Sequence, residues 1–87
     1  MIYLTNDTMD QAVYFDLRKT EPHRRRGGIE HLFYGLLGNG VSEVPVTVKS
    51  RRGYTEVIFG GNELFSYVEE RAIRRMLGEA VREIALH

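Results

Sequence analysis

Cysteine is absent from the 87 residues. Its absence excludes disulfide frameworks, thiolate zinc sites and cysteine nucleophiles, and fits a reducing, cytosolic setting. Net charge is absent as well, because 12 Lys and Arg balance 12 Asp and Glu. A general electrostatic binder of nucleic acid carries a net positive field, so the balance argues against that class. No apolar run approaches the ~20 residues of a membrane span. The opening Met1-Ile2-Tyr3-Leu4-Thr5-Asn6-Asp7 has neither a basic n-region nor a long apolar stretch, so it does not read as a signal peptide. The chain reads as a complete cytosolic reading frame forming one domain, residues 1–87. A domain this small buries limited surface, and oligomerisation is one common way to add to it.

Catalytic signatures are also missing. Histidine occurs at His23, His31 and His87. His87 ends the chain, where fraying is the rule. His31 follows Glu30 directly, and adjacent helical residues point about 100° apart, so the pair forms no convergent acid–base dyad. Ser42, Ser50 and Ser66 have no histidine close in sequence, although triads need not be local. Neither H-E-x-x-H, P-loop nor dinucleotide fingerprint occurs. Gly27-Gly28 and Gly60-Gly61 each precede an expected helix, yet turn chemistry accounts for such pairs without a phosphate site. No catalytic residue, metal ligand or cofactor is expected.

What is present is alternation. Ile2 to Thr5 reads as a short strand. From Ala12 to Lys19, Val13, Phe15 and Leu17 alternate with Tyr14, Asp16 and Arg18, which predicts a half-buried strand. A helix opening at Thr8 competes, since Thr8-Met9-Asp10-Gln11 matches a capping box. Thr20 to Gly28, polar and holding Pro22, is expected to be a loop. Ile29, Leu32, Phe33, Leu36 and Leu37 fall at helical spacing, with Gly38 as a left-handed cap and Asn39-Gly40 as a turn. Val44, Val46 and Val48, then Thr55, Val57 and Phe59, predict a hairpin closed by Ser50-Arg51-Arg52-Gly53. Pro45 places its strand at an edge, or turns its nitrogen outward. Asn62 suits an N-cap and Glu63 a first helical turn, and the pattern stays helical to about Leu86. Gly78 could kink or break that helix.

The expected fold is α+β: a four-stranded antiparallel sheet in the order β-β-α-β-β-α, helices on one face, with a long C-terminal helix. The helical alternative at Thr8 gives β-α-α-β-β-α, an order shared with one class of KH domain. That family's Gly-x-x-Gly loop should then fall where Arg26-Gly27-Gly28-Ile29 stands, so the resemblance stops at element order.

Arg24, Arg25 and Arg26 form the densest basic run, and Arg51 and Arg52 crown a hairpin. Both groups sit on loops, where functional contacts concentrate. Arg71, Arg74 and Arg75 have Glu69, Glu70 and Glu79 at helical spacing and read as a self-paired, solvated face. Tyr3, Tyr14, Tyr54 and Ile58 should point away from the helices, and Tyr with Arg is the vocabulary of binding hot spots. The last helix carries two apolar stripes, Leu64, Phe65, Val68 and Ala72 against Ile73, Met76, Leu77, Ala80, Val81 and Ile84. One small domain cannot easily cover both, so Ile73, Leu77, Val81 and Ile84 are expected to bury against a second copy in a homodimer, with a bent helix wrapping its own core as the alternative.

The expectation is a non-enzymatic interaction protein, an inhibitor or regulator of a larger protein partner, binding through Arg24, Arg25, Arg26, Arg51, Arg52, Tyr14 and Tyr54. In size and style it resembles the small regulators of phages and mobile elements, anti-CRISPR inhibitors among them, on no specific motif. The alternative is an RNA- or DNA-binding domain, with outward tyrosines stacking bases and the loop arginines on phosphates.

Overall fold

A computed structural model describes residues 1–4, 11–52, 54–61 and 64–86. The chain forms β1 (Ile2–Leu4), β2 (Val13–Arg25), β3 (Gly28–Gly38), β4 (Glu43–Arg51), β5 (Tyr54–Phe59) and α1 (Tyr67–Leu86). The strands pair as an antiparallel meander in sequence order, curled into a half-barrel. Helix α1 lies against its concave face, touching β1, β4 and β5. The fold is α+β with an antiparallel sheet, as expected, but the described residues form five strands and one helix rather than four strands and two helices. No helix among the described residues is long and apolar enough to cross a membrane.

The first correction is β3. Residues 29–37 form a strand because they are apolar on both faces of a central position. Phe33, Gly35 and Leu37 point into the core; Leu32, Tyr34 and Leu36 point out, and Leu32 is nonetheless buried. A central strand with apolar residues on both faces reads as a continuous apolar run, which mimics helical spacing over so short a window. Gly38 is the last strand residue rather than a helix cap. Asn39 then makes the turn, its Oδ1 accepting from the Val41 and Ser42 amides at 2.9 and 3.0 Å.

The second correction is β2, which runs on to Arg25 instead of ending in a loop. Leu17 pairs with Gly35 and Lys19 with Tyr34, so Arg18 is one extra residue, a β-bulge. The bulge switches the alternation: Val13, Phe15 and Leu17 face inward before it, Thr20, Pro22 and Arg24 after it. Among the described residues β1 pairs only with Val13, Tyr14 and Phe15, so Pro22 has no strand on the outer side of β2 and is tolerated there. Gly35 is demanded by the curl. A Cβ there would lie 2.5 Å from the Asp16 carbonyl oxygen and 2.7 Å from the Phe15 ring. β4 is an interior strand, so Pro45 lies neither on an edge strand nor with its nitrogen turned outward; its carbonyl accepts from Gly60 N at 2.8 Å, one residue past the last ladder pair Val46–Phe59, and at that ladder end the missing donor is tolerated.

Helix α1 begins later than expected; Asn62 and Glu63 lie outside the described residues, as does the Thr8–Asp10 part of the alternative capping box. Ser66 is the N-cap. Its Oγ accepts from the Glu69 amide at 3.2 Å, and Glu69 Oε1 accepts from the Ser66 amide at 3.1 Å, a complete capping box. Glu69 Oε2 also accepts from Gln11 Nε2 at 3.3 Å, and Gln11 Oε1 accepts from Asn39 Nδ2 at 2.7 Å. This chain ties the helix start to β2 and to the β3–β4 turn. The helix runs unbroken through Gly78, which lets the helix approach β5: a Cβ there would meet Thr55 Oγ1 at 2.7 Å.

The third correction concerns the apolar stripe of α1. Ile73, Leu77 and Val81 are each 0% exposed within one chain, packed with Val13, Phe15, Leu37, Val46 and Val48. The stripe expected to meet a second copy is the core face of a single copy. A fifth strand, formed by residues expected to be helical, makes the sheet wide enough to cover it. Only Ile84 of the four stays exposed, at 43%.

Two outcomes follow from this packing. Ser66→Ala removes half the capping box and should cost about 1 kcal/mol, read as a melting-temperature drop of about 4–8 °C. Gly78→Ala should destabilise by about 1 kcal/mol, because overpacking against Thr55 outweighs the helix propensity of Ala. In a Thr55→Ala background the sign should reverse, since the clashing oxygen is gone; urea unfolding of the four proteins measures both steps.

Candidate interaction site at the hairpin tips

Because β3 is a strand, the β2–β3 and β4–β5 turns lie at the same end of the molecule, whose principal extents are 40 × 21 × 21 Å. Arg25 pairs with Gly28 across the first turn, where Gly27 has φ +86°, and Arg51 pairs with Tyr54 across the second. The turns are stitched together. Arg51 Nη2 donates to the Arg26 carbonyl and Arg52 Nη2 to the Gly27 carbonyl. Two arginine groups separated by 25 residues in sequence therefore form one cluster. Arg52 takes φ +48°, a left-handed conformation. For a residue other than Gly, Asn or Asp this costs on the order of 1 kcal/mol. Gly53, expected to supply the positive φ, lies outside the described residues.

The cluster shows cations to both faces of the ribbon, since Arg24 follows the inward row and Arg25 the outward one. Arg24, Arg25, Arg26 and Arg52 are exposed, and Arg51 is half-buried. Among the described residues one ion pair touches the cluster, Arg25 Nε to Glu30 Oε1 at 3.5 Å. Below it on the outer face, Lys19, Glu21 and His23 form a row. Hydrogen bonds from Lys19 and then His23 hold the Glu21 carboxyl below its ordinary pKa, and Glu21 in turn raises Lys19. Of the 12 basic residues, ten are Arg, the side chain that pairs bidentately with carboxylate or phosphate.

Tyr54 belongs to this end. It is 66% exposed and, with Glu30, Lys49, Arg51 and Glu56, lines a shallow depression of about 220 Å³. Tyr14 does not. It pairs with Tyr3 and Gly38 at the opposite end of β2, and its hydroxyl donates to Glu43 Oε2 at 3.3 Å. Desolvation and the Glu43 carboxylate raise its pKa. Tyr3 and Ile58 point outward and are exposed, as expected. His31 sits on the inward face of β3 rather than on a helix, its ring 6.4 Å from that of Phe33, while His23 is held by Glu21 at 3.1 Å. His31 stands opposite buried Ser50 in the register with no hydrogen bond between their side chains. His87 lies outside the described residues. Sequence reasoning missed the convergence of the arginine groups; the hairpin register would have revealed it once residues 28–38 were read as a strand.

Arg52→Asn tests whether the strained turn is conformationally costly. Asn accepts left-handed φ readily, so the variant should match wild-type stability or exceed it by up to about 1 kcal/mol, measured by urea unfolding. No known family model, curated protein or solved structure matches the chain.

Proposed function

We propose that the chain is a non-enzymatic, cytosolic interaction protein, an inhibitor or regulator that seats its arginine tip on an acidic surface of a larger protein. The observation that carries this reading is the stitching of Arg51 and Arg52 to the carbonyls of the facing turn. It gathers Arg24, Arg25, Arg26, Arg51 and Arg52 on a ribbon end that the core does not need. Turns held to one another present the guanidinium groups with less ordering cost on binding than free loops would. Tyr54 beside them adds a rigid, exposed ring, and Tyr with Arg is enriched where binding energy concentrates. The same five arginines could take phosphates, and ionic strength separates the two partners.

Replacing the five arginines with alanine should change stability by no more than about 1 kcal/mol, since exposed charges contribute little. Affinity for the partner recovered from the native host should fall at least about a hundredfold, as each charge-assisted pair is worth about 1.5–3 kcal/mol. For a protein partner the affinity should depend modestly on salt; a steep slope with tolerance of sequence would assign the tip to nucleic acid. Calorimetry showing full affinity in the five-fold variant would move the site to the tyrosine face of the sheet.

A further inference from the structure

Helix α1 carries a second arginine group that shares no residue with the tip. Arg71, Arg75 and Arg82 are exposed. At about 100° per residue they fall within ~40° of one another, a single line rising ~16 Å along the solvent side. Sequence spacing suggested that Glu69, Glu70 and Glu79 neutralise this face. The structure spends those acids differently. Glu70 pairs with Arg74 at 3.4 Å, and Glu69 is held in the helix cap. Among the described residues no carboxylate stands within ion-pair distance of Arg71, Arg75 or Arg82.

These side chains are placed rather than scattered. With Arg74 and Thr55 they line one depression of about 470 Å³, in which Glu79 is the single acid. Arg74 is held by the Val57 carbonyl and by the Phe59 ring, 4.9 Å from its guanidinium carbon. Arg71 lies 5.8 Å over the ring of Tyr67, which is itself 71% exposed.

We propose that this depression binds the phosphate backbone of single-stranded nucleic acid. Arg75 and Arg82 take phosphates, Thr55 offers a hydroxyl donor, and Tyr67 offers a face on which an unpaired base stacks. A straight row of like charges fits a polyanion whose charge repeats along its length. A base already stacked within a duplex could not reach Tyr67, which favours the single strand.

Fluorescence anisotropy of the full chain with a labelled oligothymidylate of about 20 nucleotides tests this, across roughly 50 to 200 mM salt. The wild type should bind at low salt. Arg75→Gln with Arg82→Gln keeps helix propensity and should weaken binding about tenfold or more, lowering the salt slope by about 1.4, or about 0.7 per phosphate lost. Glu79→Gln removes the one carboxylate and should tighten binding severalfold. The five-fold tip variant should keep most of the oligonucleotide affinity. The proposal is overturned if the oligonucleotide does not bind, or if the double variant binds like wild type. It is also overturned if polyglutamate displaces the oligonucleotide as well as unlabelled oligothymidylate does, which would make an acidic protein the occupant. The tip reading stands or falls separately, on its own protein partner.

Discussion

The burial of Ile73, Leu77 and Val81 in the hollow of the curled sheet is the contact on which the rest of the molecule depends. Without α1, the inward row of Val13, Phe15, Phe33, Leu37, Val46, Val48 and Val57 would face water. Burying a large aliphatic side chain contributes about 1.5–3 kcal/mol, and in so small a domain few such contacts can be lost. Seating the helix sets further demands. Gly78 is needed so that the helix can approach Thr55, and Gly35 so that the sheet can curl past Phe15 and Asp16. The capping box at Ser66 fixes where the helix starts, and Gln11 carries that constraint to the first hairpin.

The helix touches β1, β4 and β5, while the far parts of β2 and β3 extend beyond its cover. That division explains which features were legible in the sequence. Where one sheet face is buried and the other wet, alternation is clear, as at Val13, Phe15 and Leu17 and in the β4–β5 hairpin. The strand reading of β2 and the outward turn of Tyr3, Tyr54 and Ile58 came from that contrast. Where both faces are apolar, at Leu32 through Leu37, period two vanishes and helical spacing appears by coincidence. Where both faces are wet, at Thr20 through Arg25, nothing distinguishes a strand from a polar loop. Both failures concern the same ribbon, and together they hid the meeting of the two arginine groups. Parity puts Tyr14 on the correct face, but its position along the sheet needs the register, which separates it from the loop arginines it was grouped with. The Ser66-x-x-Glu69 signature is present in the sequence, but Asn62, four residues earlier, is an equally good N-cap by residue type.

The ribbon's unpaired side has a bearing on how the protein behaves when concentrated. From Asp16 to Arg25, β2 has no neighbour beyond β3 among the described residues, and an open edge of that length is a template for fibril growth. Here the template is spoiled along its length. Arg18 breaks the regular spacing of donors and acceptors, Pro22 withholds a donor, and Arg24 and Arg25 would bring like charge near an identical edge. On the other border, Arg74 occupies the Val57 carbonyl. The long arm is therefore a poor template for pairing with a copy of itself, a property carried by the strand that holds two of the five tip arginines.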